Sequence, residues 1–220
     1  QRVTTAGIDP GAQTSVAKTL PPYYPDTPLT REDWGRYYDI IAALDRWFGK
    51  MMSELADDGL ADDTIVFFWT DHGVGLPRAK RWVYDSGLRV PLVVYVPPKW
   101  REQVPMLPGT VDDRLVTLMD LGPTVLEIAG LDVPSIMQGQ AFVGPNAIPR
   151  SLVFAARDRM DDRYDIIRAV RDKRYKYIVN FQRWKPYYQH IAYAAQSQTM
   201  KEISRLASIG ELPLAAAKFT

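Results

Sequence analysis

At 220 residues and 46% hydrophobic content, the chain is long enough for one substantial core. Its 27 basic residues against 26 acidic ones exclude a strong overall field toward nucleic acid or an anionic membrane, so any anion binding has to be local. No apolar run approaches the roughly 18 residues of a membrane span, and the absence of cysteine excludes disulfides, thiolate metal sites and a cysteine nucleophile within these residues.

Residues 1–29 lack hydrophobic periodicity and carry "LPPYYPDTP", whose prolines disfavour helix; an extended lead-in segment is expected. From Thr30 the pattern changes. "TRED" reads as a helix start, and Trp34, Tyr37, Tyr38, Ile41, Leu44, Trp47, Phe48, Met51 and Leu55 recur mostly at threes and fours up to Gly59, which predicts a long amphipathic helix over 30–58. "TIVFFWT" (64–70) and "VPLVVYV" (90–96) show no polar alternation. They are expected to be neighbouring parallel strands buried on both faces. Asp120 is placed to cap the helix "LGPTVLEIA", with Pro123 in its first turn and Gly130 as its stop. Beyond residue 149 the texture shifts to short strands, "SLVFAA", "YDIIRAVRD" and "RYKYIVNF", the last two joined around Asp172 and Lys173 as a hairpin. A final helix is expected in "TMKEISRLASIG". The division is therefore an α/β core over 1–149 and a smaller antiparallel layer with a last helix over 150–220.

The first apolar strand breaks at Asp71, His72 and Gly73. In open α/β sheets ligands sit beyond the carboxyl ends of strands, and an adjacent carboxylate and imidazole there can both reach one divalent cation. Gly73 and Gly75 are read as permitting a sharp turn. The plainer alternative is a capped turn with a surface histidine. Arg78, Lys80 and Arg81 follow in "GLPRAKRW", as a binding loop for a tetrahedral oxyanion or as a solvated basic loop. Residues alone leave both pairs of readings open.

The ordered runs "YYDIIAALDRWFGKMMSELADDGLADDTIVFFWTDHG", "KRWVYDSGLRVPLVVYVP" and "MDLGPTVLEIAGLDVPSIMQGQAF" resemble the second half of the type I sulfatases, over about residues 20–180. "LPRAKRWVYDSGLRVPL" and "AARDRMDDRYDIIRAVRDKRYKYIVNF" are similar to bacterial heparan N-sulfatase-like and arylsulfatase-like members. The resemblance implies an α/β, alkaline-phosphatase-like sandwich with a mostly parallel central sheet and a small antiparallel carboxy-terminal layer, incomplete at both ends. It implies that Asp71 and His72 are metal ligands, the metal being calcium in most of the family, and that Lys80 contacts the sulfate. Arg78 and Arg157 become candidate substrate contacts, although Arg157, Asp158 and Arg159 also read as a structural ion-pair network, the favoured reading. The family's formylglycine nucleophile, formed in a Cys/Ser-x-Pro-x-Arg motif, has no counterpart here. It is expected in an upstream half.

The implied substrate is a sulfated small molecule or polysaccharide fragment, hydrolysed at a sulfuric ester or sulfamate, in a periplasmic or secreted enzyme. No nucleic acid and no membrane span are expected. Two rivals remain: a metal-dependent phosphohydrolase or phosphomutase of the same superfamily, weakened because His190 is the only other histidine, and a noncatalytic carbohydrate-binding module using Trp184, Tyr187 and Tyr188. His190 itself reads as part of an aromatic surface patch.

Overall fold

The computed structural model describes residues 19–160 and 162–218, so most of the predicted lead-in segment, residues 1–18, lies outside the described residues. Helix α1 runs Pro28–Asp57. Its cap is Thr27 rather than Thr30: the Thr27 hydroxyl accepts from the Thr30 amide at 3.4 Å, and Pro28 takes the first helical position, where no amide is needed. Thr30, read as the start signal, is instead fully buried. Gly59, at φ +71°, closes the helix in the left-handed conformation, with Leu60 N bonded back to Leu55 O at 3.0 Å.

Strands β1 (Val66–Trp69) and β2 (Leu92–Tyr95) are neighbours, as expected, but they run antiparallel, Val66 opposite Tyr95 and Trp69 opposite Leu92. A parallel pair needs a crossover that carries the chain back along the strand. The connecting residues 70–91 hold only the single-turn helix α2 (Asp85–Leu88) and make no such return. Nor are both faces covered. Phe67, Leu92 and Val94 pack on a core of Val96, Val104, Phe142 and Val143, and Phe68 meets Phe48 of α1 at 4.9 Å between ring centres. Val93 and Tyr95 stay exposed.

Helix α3 (Leu121–Ile128) follows Asp120, yet Asp120 does not cap it. Its buried carboxylate accepts from Thr117 N (2.9 Å), Gln140 N (2.8 Å) and the Arg150 guanidinium (2.8 and 2.6 Å). Three chain segments therefore meet on one carboxylate. The carboxy-terminal layer is an antiparallel sheet, β3 (Val153–Met160), β4 (Arg163–Arg171) and β5 (Lys176–Asn180). The β4–β5 hairpin turns where expected, with the Asp172 carboxylate accepting from the amides of Arg174 and Tyr175. Helix α4 (Gln198–Ser208) presents Met200 and Ile203 to Trp34 of α1 and to Trp82. The carboxylate of Asp33 on α1 accepts from Ser197 Oγ, Thr199 N and Thr199 Oγ1 at 3.2, 2.8 and 2.8 Å, which fixes the start of α4. The short helix α5 (Leu214–Ala217) follows.

The connection between β1 and β2 is held tightly. Gly73 N donates to Gly87 O at 3.0 Å, and a Cβ on Gly73 would collide with the Ser86 carbonyl. Gly75 has open space around it. The chain bends at both glycines, as expected, but neither needs positive φ to do so; Gly73 also serves close backbone approach. Gly73→Ala is expected to lower unfolding free energy by about 1–3 kcal/mol, an overpacking cost, and Gly75→Ala to change it by less than about 0.5 kcal/mol, read by urea denaturation.

Burial alone would raise the pKa of Asp120, but the hydrogen bonds from Arg150, Thr117 and Gln140 outweigh it and hold the carboxyl below its ordinary range. A depressed folded pKa contributes stability that is present above the unfolded value, about 3.9, and is lost as pH falls through the folded value. Asp120→Asn should cost on the order of 3 kcal/mol at pH 7. In unfolding series taken at falling pH, the gap between the two proteins should narrow below about pH 4.

Candidate active-site loop

The site is built from residues 70–88, at the carboxyl end of β1. His72 Nδ1 lies 2.8 Å from Gly73 O, so its N–H donates to that carbonyl and the lone pair falls on Nε2. Nε2 is 3.5 Å from Asp71 Oδ1. In that tautomer two electron-rich atoms face each other across a gap, an arrangement that a divalent cation relieves. The donor chemistry fits a cation: a hard carboxylate oxygen beside an imidazole whose other nitrogen is anchored to backbone. Asp71 is largely solvent-facing and His72 is half-exposed, so both remain reachable. Among the described residues no group of three or more His, Cys, Asp or Glu forms a metal cage; these two donors make at most part of one.

The basic loop folds back under its own hydrogen bonds. Lys80 N donates to Val74 O at 2.9 Å, Trp82 N to Ala79 O at 3.0 Å, and Ser86 Oγ to Arg78 O at 2.9 Å. The Tyr24 hydroxyl donates to Pro77 O. Arg78 and Arg81 both adopt positive φ, +65° and +79°, which any residue with a Cβ resists and which tends to mark functional loops. Ala79 and Lys80 are thus bracketed by two left-handed residues.

The side chains divide into two sets. The Arg78 guanidinium lies 4.2 Å from the ring centres of both Tyr23 and Tyr84, a structural engagement for a residue read as a substrate contact. Arg157, on β3, is buried with 3.8 Å between its guanidinium and the Trp82 ring, and its Nε is 3.9 Å from Asp165 Oδ2. Asp158 pairs with Arg168 at 2.7 Å. Lys80 and Arg81 behave differently. Both approach one ring, Tyr193, at 5.3 and 4.4 Å from its centre, and both line a pocket of about 270 Å³ whose other walls include Trp82, Tyr188, Ser197 and Met200. Asp71 and His72 do not line that pocket. Nothing in the sequence singled out Tyr193, which lies more than a hundred residues from the loop; only folding brings it there. Tyr187 is stacked on Trp82 and Tyr84, whereas Trp184 is exposed. His190 is exposed, and its carbonyl accepts from Arg163 at 2.7 Å.

Known proteins share this geometry's sequence and fold. The sulfatase family model matches residues 10–131, and a second model, N-sulphoglucosamine sulphohydrolase, C-terminal, matches residues 78–205. An ulvan-active sulfatase of Formosa agariphila is 43% identical over 194 residues, covering 88% of this chain and 32% of its own. Human N-sulphoglucosamine sulphohydrolase is 34% identical over 117 residues, covering 53% of this chain and 22% of its own. The chain thus spans about a third or less of these curated relatives. Among solved structures, a putative sulfatase of Bacteroides fragilis superposes with a TM-score of 0.59 at 21% identity, covering 98% of this chain and 51% of the other. The phosphonate monoester hydrolase of Agrobacterium radiobacter gives 0.55 at 20% identity, covering 87% and 43%. Those two likenesses are of fold, in keeping with the expected α/β, alkaline-phosphatase-like class. Two family matches each span more than half of the sequence, and the relatives they agree with are sulfatases: the chain belongs to the sulfatase family.

Proposed function

We propose that the complete protein is a sulfuric ester or sulfamate hydrolase acting on a sulfated carbohydrate, and that this chain supplies part of its metal site and a cation for the sulfate. One observation carries the reading: in a sulfatase-family chain, the Asp71 carboxylate and His72 Nε2 are presented 3.5 Å apart at the end of β1, with Lys80 held on the loop that follows. The relatives named above are an ulvan-active sulfatase and an N-sulphoglucosamine sulphohydrolase, which supports a saccharide substrate. Export to a periplasm or the medium accords with such polymeric substrates.

In this scheme Asp71 and His72 hold a divalent ion, calcium by the family pattern. When bound, the divalent ion would supply positive charge at the sulfate and a formylglycine the attacking oxygen; with no cysteine and no Ser-x-Pro-x-Arg motif in these 220 residues, the formylglycine belongs to another part of the protein. Lys80 is the group within this chain that acts on the reacting sulfate. Its ammonium neutralises charge that grows on a sulfate oxygen, or gives its proton to the leaving oxygen or nitrogen. The loop's own hydrogen bonds fix the Lys80 backbone before substrate arrives, so little ordering cost falls on the transition state.

The expected outcome is hydrolysis of an aryl sulfate by the complete protein in preference to an aryl phosphate. Chelation should abolish it and calcium restore it. Asp71→Ala and Lys80→Ala should each lower kcat/KM by about a hundredfold or more, the scale of losing one charge-stabilising group. The 220-residue chain alone should show no turnover. A preference for phosphate, or turnover by the isolated chain, contradicts the proposal.

A further inference from the structure

The loop that carries Lys80 is two tight turns in succession. Ala79 N donates to Leu76 O at 3.3 Å and Trp82 N to Ala79 O at 3.0 Å, so residues 76–79 and 79–82 each close with the bond of a four-residue turn. The third position of each is left-handed, Arg78 at φ +65° and Arg81 at φ +79°, while Pro77 and Lys80 before them are not. That is the type II pattern, whose third position ordinarily takes glycine or asparagine because a Cβ is strained there. An arginine favours the type I alternative, reached by turning over the central peptide plane. The proline ring fixes φ of Pro77, so only its ψ and φ of Arg78 need to change. The first turn is therefore a two-state element, and a contact from outside it has to select the strained state.

That contact comes from the lead-in segment. The Tyr24 hydroxyl donates to Pro77 O, the carbonyl of the plane that would turn over. In the type I form that oxygen would face the opposite way and leave a buried phenol without its acceptor. Burial pushes the Tyr24 phenol above its ordinary pKa, so it stays protonated and able to donate. The tyrosine is not free to follow the oxygen. Its buried ring meets Trp34 of α1 edge-on, 5.4 Å between ring centres, and two residues on the Asp26 carboxylate accepts from Arg31 Nε and Nη2 at 2.6 and 2.8 Å. Neighbouring Tyr23 lies 4.2 Å from the Arg78 guanidinium, and Ser86 Oγ donates to the next carbonyl, Arg78 O, at 2.9 Å.

We propose that Tyr24 is a positioning residue for sulfate hydrolysis: its hydroxyl selects the type II form of the 76–79 turn, and that turn sets the direction from which Lys80 reaches the sulfate. The second turn begins at Ala79, where the first ends, so a change in the first redirects Lys80. The inference rests on the sulfatase reading and on the part of Lys80 in it. It adds a group that acts only through the loop.

The test uses the complete protein and two readouts, aryl sulfate kinetics and amide hydrogen exchange of the ligand-free enzyme. Tyr24→Phe keeps the ring and removes only the hydroxyl. It is expected to lower kcat about tenfold with KM within about twofold, the scale of a small misplacement of a charge-stabilising group. Exchange at the Lys80 N–H, which is bonded to Val74 O, should speed up about tenfold while the β4 amides around Ala169 keep their rates. Arg78→Gly supplies the second arm, because glycine holds a left-handed position without strain and needs no selector. Adding Tyr24→Phe to Arg78→Gly should change kcat and Lys80 exchange by less than about twofold, a strongly non-additive cycle. A general loss of packing would lower activity equally in both backgrounds; that result overturns the proposal, as does an unchanged kcat in Tyr24→Phe. If the protein turns over no sulfate yet Lys80 exchange follows the predicted cycle, the sulfatase reading fails and the turn selection stands. If aryl sulfate is turned over and Lys80 exchange is indifferent to Tyr24, the turn selection fails and the sulfatase reading stands.

Discussion

A guanidinium taken out of water must be compensated, and Arg157 is compensated by a ring and by the buried Asp165 carboxylate, 3.9 Å from its Nε. Its charge lies on Trp82, Trp82 stacks on Tyr187 at 4.6 Å, Tyr187 on Tyr84 at 5.1 Å, and Arg78 then lies 4.2 Å from both Tyr84 and Tyr23. This run of cations and rings connects the start of the described chain, the loop after β1, strand β3 and the segment before α4. Contacts of this type contribute about 0.5–2 kcal/mol each, more when desolvated. Their sum is available to offset the left-handed backbone at Arg78 and Arg81, which costs about 1–3 kcal/mol per residue. Without the stack the loop would relax, and Lys80 would lose its fixed place.

The same stack explains why two neighbouring arginines do different things. Arg78 is enclosed between tyrosines and serves the frame; Arg81, three residues on, is turned with Lys80 toward Tyr193 and the pocket. A basic cluster thereby becomes a graded one, with a structural cation behind and accessible cations in front. Closer to β1, the Gly73–Gly87 backbone bond keeps the Asp71–His72 pair at the base of the same loop. The proposed metal donors and the basic residues thus share one loop.

How much of this is legible before folding follows from range. The long helix, the two apolar strands, the Asp172 hairpin and helix α4 are readable because each depends on residue pattern within one short segment; α5, which follows α4, is not among the expected elements. The cap of α1 lies three residues before the Thr30 cap that "TRED" suggests, because Thr27 and Pro28 carry an equally local signal that fits the helix end better. Strand direction is not readable: an uninterrupted apolar run reports burial, and only the path of residues 70–91 decides polarity. Asp120 resembles a helix cap in sequence because its partner Arg150 is thirty residues away. The pair Asp71–His72 is visible as adjacent chemistry at a strand end. The pocket is invisible, since Lys80 and Arg81 meet Tyr193 only when α4 packs against α1 and Trp82.

The central claim is that the loop is held in one conformation before any ligand binds. Amide hydrogen exchange of the ligand-free complete protein tests it at the Lys80 N–H, which is bonded to Val74 O at 2.9 Å. The predicted result is protection within about tenfold of the β4 amides around Ala169, because an amide released only by wider opening shares the stability of the core. Exchange near the rate of an unstructured peptide would show that the stack does not hold the loop, and would contradict the account.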